Sequence, residues 1–68
     1  MTEPTEYEIC VQGRLDARWS DWFNGLSVTE TGDGETLIKG VVADQAALRG
    51  ILEKIWNLNL VLVSVRRL

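Results

Sequence analysis

A chain of 68 residues that contains no histidine and only one cysteine, Cys10, must fold without the staples small domains usually rely on. One cysteine allows no intrachain disulfide, and one thiol without imidazole makes no ordinary zinc site. A domain this short buries only about 60% of the surface its unfolded chain exposes. What remains is an efficient core or a partner chain that supplies the missing burial. Nearly half of the residues are hydrophobic and a quarter are charged, which is globular composition.

The missing histidine also narrows the chemistry. It removes the usual general base and the commonest metal ligand. The net charge of −3, with Arg66-Arg67 as the only basic cluster, argues against broad nucleic-acid binding. No apolar run reaches the ~18 residues of a membrane span. The opening Met1-Thr2-Glu3-Pro4-Thr5-Glu6 is acidic and unlike a secretory signal, so a cytoplasmic location is expected.

Residues 1–6 read as a flexible tail and residues 7–68 as a single α+β domain. In the first strand, Tyr7, Ile9 and Val11 alternate with Glu8, Cys10 and Gln12, and Gly13 stops the run. Asp16 is a helix N-cap, and Trp19, Trp22 and Phe23 at i, i+3, i+4 predict a short helix from Ala17 to about Asn24, ended by Gly25. A second strand spans Leu26 to Thr31. Gly32-Asp33-Gly34 is a hairpin turn, and a third strand covers Glu35 to Val42, with Ile38, Gly40 and Val42 inward.

Asp44 then caps a helix over Gln45–Asn57, whose Leu48, Ile51, Leu52 and Ile55 form the apolar stripe of a helix lying on a sheet. The last strand runs from Leu60 to about Arg66. This order predicts a ferredoxin-like βαββαβ fold: a four-stranded antiparallel sheet, strands one and three central, with two helices on one face. Regular alternation in the last strand places Val61, Val63 and Val65 beneath the helices and turns Leu60 and Leu62 outward. Together with Cys10, Leu37 and Val41 they form an expected apolar patch, large enough to predict a homodimer by sheet face or edge.

Catalytic groups are scarce. Asp16 and Asp44 are explained as caps and Asp33 as a turn residue, and Glu8 beside Cys10 raises the thiol's pKa, the wrong direction for a nucleophile. No catalytic, cofactor-binding or metal-ligating residue is expected, and no cofactor.

Three resemblances bear on function. Tyr7-Glu8-Ile9-x-Val11-x-Gly13, then Asp16-x-Arg18-Trp19-x-x-Trp22-Phe23-x-Gly25-Leu26, then Asp44-Gln45-Ala46-Ala47-Leu48-x-Gly50-Ile51-Leu52 resemble small bacterial ferredoxin-like proteins without an established activity. Val11-Gln12-Gly13 followed by Arg18-Trp19 resembles the phosphate-binding segment of acylphosphatases, which implies backbone amides and an arginine around an anion. Here the arginine is one residue further on, and Glu30 stands where that family has its catalytic asparagine, so the likeness covers topology and turn rather than activity. The C-terminal half is loosely similar to ACT-type regulatory domains, which dimerise and bind amino acids.

The expected function is a non-enzymatic, self-associating interaction or scaffold module, with a homodimer or another protein as partner and neither nucleic acid nor membrane involved. The alternative is a small-molecule or anion-binding regulatory domain, ACT-like, with Gly13, Arg14 and Arg18 as ligand contacts. An acylphosphatase-like hydrolase ranks last.

Overall fold

A computed structural model describes residues 4–68. The chain forms β1 (Thr5–Gln12), a 3₁₀ turn (Ala17–Ser20), β2 (Ser27–Glu30), β3 (Glu35–Val42), α1 (Gln45–Asn57) and β4 (Val61–Arg67). The four strands make one antiparallel sheet in the order β2-β3-β1-β4, so β3 and β1 are central and β2 and β4 are the edges. The first strand begins at Thr5, so Thr5 and Glu6, read above as tail, belong to the sheet; of the rest of that tail, Pro4 precedes the strand and residues 1–3 lie outside the described residues.

The two-helix ferredoxin-like βαββαβ expectation is corrected here. Among the described residues there is one α-helix, and the first crossover is a 3₁₀ turn followed by further turns. The local hydrogen bonds show why. Trp19 N–H donates to Asp16 O and Asn24 N–H to Asp21 O, both three residues back, and Phe23 N–H is shared between Ser20 O at 3.0 Å, three back, and Trp19 O at 3.3 Å, four back, where an α-helix bonds four back throughout. The Ser20 hydroxyl reaches forward to Leu26 O at 2.7 Å, and Asn24 and Gly25 both take positive φ (59° and 82°). Serine, asparagine, aspartate and three aromatics are middling helix formers. Within the fourteen-residue crossover between Gln12 and Ser27, tertiary anchoring of Phe23 outweighs helical regularity.

Phe23 is wholly buried and Trp19 packs against the core, whereas Trp22 is 42% exposed. The three aromatics therefore do not share one buried face, as an α-helix would have required. Trp22 stands edge-on to Trp19 with ring centroids 6.5 Å apart, under the Lys54 ammonium at 5.4 Å. Lys54 also donates to Trp22 O at 2.9 Å, tying the last turn of α1 to the crossover.

The long helix follows its sequence pattern. The Asp44 carboxylate accepts from Ala47 N–H at 2.8 Å, as an N-cap does, and Leu48, Ile51 and Ile55 are buried against the sheet. Asn59 at φ 58° ends it, letting Leu60 N–H reach back to Ile55 O. A Cβ at Gly50 would meet nothing within 4 Å, so no close packing compensates for a mid-helix glycine. Gly50→Ala is expected to stabilise the domain by about 0.5–1 kcal/mol, seen as a raised urea midpoint with an unchanged slope.

The core lies between the sheet and the layer made by α1 and the first crossover. Ile9, Val11, Ile38 and Val28 face it from the strands, and Leu15, Phe23 and Leu26 close one end. Gly40 faces inward opposite Tyr7, and the space a Cβ would need there is held by Leu26.

Candidate interaction surface

β4 departs most from expectation, and its pairing with β1 explains how. Gln12 pairs with Val61 and Val11 with Leu62, but Cys10 pairs with Ser64 and Ile9 with Val65. Val63 is the extra residue of a β-bulge. Paired residues in an antiparallel ladder point to the same face. Leu62, opposite inward Val11, therefore points inward, and so does Val65, opposite inward Ile9; Val61 and Ser64 point outward. The bulge reverses the alternation midway, so no single face can be assigned to the whole strand.

Leu60 and Leu62 pack against the core, while Val61, Val63 and Val65 are 57%, 47% and 38% exposed. The expectation that these leucines lie on an open apolar face with the valines buried is corrected by this reversal. Of the remaining members of that expected patch, Cys10 and Leu37 are direct cross-strand partners, whereas Val41 lies apart from them. On the sheet's helix-free side, Val41 pairs with Glu6 at one end of β1, and Val61 pairs with Gln12 at the other. Six steps along β1 separate them by about 20 Å. Between them Glu8 is flanked in register by Lys39 and Arg66, with Arg66 Nη2 3.5 Å from Glu8 Oε1. This side is a charged surface with apolar spots rather than a patch.

Cys10 lies between Leu37 and Ser64 on that side, and its thiol contacts Glu35 Oε1 at 3.5 Å. Burial, then the hydrogen bond and charge of Glu35 and the charge of Glu8, push the thiol pKa above its ordinary value. Such a thiol stays protonated at neutral pH and is a poor nucleophile. Glu8 alone was legible as its neighbour; Glu35 is placed there by the β1–β3 register.

The loop holding Gly13, Arg14 and Arg18 is internally satisfied. Gly13 N–H donates to Gly34 O at 2.9 Å, and Leu15 N–H donates to the hydroxyl of Thr36 at 3.1 Å. That hydroxyl in turn donates to Gly13 O at 2.7 Å. Arg18 chelates Asp16, with Nη2 2.7 Å from Oδ2 and Nε 3.1 Å from the same oxygen, and Arg18 N–H donates to Asp16 Oδ1. This contact holds the Asp16 carboxyl below its usual pKa. Arg14 is exposed. The amides of Gly13, Leu15 and Arg18 and the Arg18 guanidinium already have partners, and no pocket is found among the described residues. Thr36, buried at the centre of this arrangement, was not singled out in the sequence; its only signal is that it shares the parity of Ile38 and Val42.

What distinguishes the surface is therefore an edge. β2, at one side of the sheet, is four residues long and ends in Glu30. β4, at the other, is seven residues long, and residues 61–65 carry no charge and no proline. Natural edges are normally short, charged or covered.

The geometry defines a small α+β domain with one helical layer, no cavity among its described residues and one open apolar strand edge. Residues 6–66 match the model of DUF8691, a domain of unknown function, and the chain belongs to that family. No curated protein and no solved structure matches it. No helix among the described residues is long and apolar enough to cross a membrane.

Proposed function

We propose that the domain is a non-enzymatic protein-interaction module that self-associates by strand addition at the β4 edge. The carrying observation is that, among the described residues, β4 pairs only with β1, and that three of its valines are 38% to 57% exposed. Strand addition gives the unpaired backbone groups of such an edge their hydrogen bonds, and the side chains at that edge supply apolar contact. It also answers the shortage of burial inherent in so short a chain.

The protonated thiol of Cys10, the capping roles of Asp16 and Asp44 and the chelated Arg18 support a non-catalytic role. The filled hydrogen bonds around Gly13 give the anion-binding alternative no comparable support.

Sedimentation or light scattering at roughly 1–100 μM is expected to give a mass that rises with concentration above the 7.6 kDa of one chain. Val63→Lys, at an exposed position, is expected to abolish that rise while leaving the circular dichroism spectrum unchanged. A constant monomer mass over that range refutes self-association.

A further inference from the structure

We infer that the partner is a second copy of this chain, its β4 antiparallel to the first about a two-fold axis between Val63 and Ser64, so that Val61 of each copy lies opposite Arg66 of the other. This rests on the edge-pairing reading and specifies its geometry. Opposed residues of an antiparallel pair must share a face. In a regular strand that condition relates residues of like parity. In β4 the bulge changes parity at Val63. Outward Val61 therefore matches outward Arg66, and inward Leu62 matches inward Val65. The extra residue of each copy falls beside Ser64 of the other, bulge against bulge.

Charge selects this arrangement among its neighbours. Like charges placed opposite each other in a sheet are destabilising. A parallel pairing sets Arg66 and Arg67 against their own copies. An antiparallel pairing centred on Val65 brings the two Arg66 side chains within two positions of each other and leaves Val61 uncovered. The inferred register keeps the arginines at opposite ends and overlaps the whole run from Val61 to Arg66. Arg66 keeps its contact with Glu8 on its own sheet. The product is one eight-stranded sheet with both α1 helices on the same side.

Disulfide trapping tests the register. Two chains are made in a Cys10→Ser background, one with Val61→Cys and one with Arg66→Cys, and each is oxidised alone and mixed with the other. In the inferred dimer, like positions are about 14 Å apart along the strands, because the bulged run from Val61 to Arg66 spans the length of Glu8 to Gln12, and this is beyond the ~7 Å Cα separation a disulfide spans. Cross-linked dimer is expected in the mixture only. Cross-linking of either chain alone, or of Ser64→Cys with Arg66→Cys in place of the first pair, overturns the register while preserving edge association. A Cys10→Ser chain that scatters as a monomer overturns both. Amide exchange needs no edge substitution: protection of β4 should rise with protein concentration, and protection that stays constant in a chain that does dimerise places the contact elsewhere and overturns the inference.

Discussion

Phe23→Ala should leave the chain unfolded, or nearly so, at 25 °C. The ring is wholly buried and is the one fully buried aromatic side chain among the described residues. Removing such a ring costs about 3–5 kcal/mol in lost transfer energy and residual cavity. A domain of this length holds only about 3–10 kcal/mol in total. The loss falls where little else holds the chain. The first crossover has no α-helix of its own, and Phe23 ties its two ends, its N–H donating to Ser20 O and Trp19 O and its C=O accepting from Leu26 N–H. Urea denaturation followed by circular dichroism gives the measurement. Trp22→Ala, which removes a larger but partly exposed ring, should cost clearly less. Equal losses would mean that the crossover is not anchored by Phe23.

The second large effect is expected at Thr36→Val, a change that keeps shape and removes one oxygen. That oxygen accepts from Leu15 N–H and donates to Gly13 O, pinning the start of the crossover to β3. Without it a buried donor and a partly buried acceptor lose their partners, at about 1–3 kcal/mol for a fully buried group. A total of about 2–4 kcal/mol is expected in the same denaturation experiment. Thr36→Ser, which keeps the hydroxyl and loses only a methyl, should cost about 1 kcal/mol. If valine were as stable as threonine, the loop would be held by its backbone alone.

These two positions show where sequence pattern ceases to determine structure. The long helix was legible from end to end, because its stripe of Leu48, Ile51 and Ile55 and its Asp44 cap are local signals that agree. β3 was equally legible, bounded by a glycine turn and by that cap. The first crossover was not. Spacing of i, i+3, i+4 is shared by an α-helix and by a tight turn that buries one ring, and the contacts that decide between them come from distant residues. In β4 every residue of the Val-Leu-Val run is apolar, so period two carries no information about direction, and a one-residue bulge reverses the outcome. The exposed edge could be named as a strand from sequence. Which side chains it shows to water depends on its register with β1.

The strand order has a consequence for how the chain acquires its structure. β1 emerges first in synthesis, yet its two neighbours begin at Glu35 and Val61. Both of its ladders close long loops before any contact repays the lost chain entropy. The central strand β1, the earliest segment of the domain, thus completes its pairing only with the latest, β4. A nascent chain cut short before residue 61 would carry a β1 bare on one side, and folding should proceed in milliseconds or slower rather than at the pace of a helical bundle of equal length.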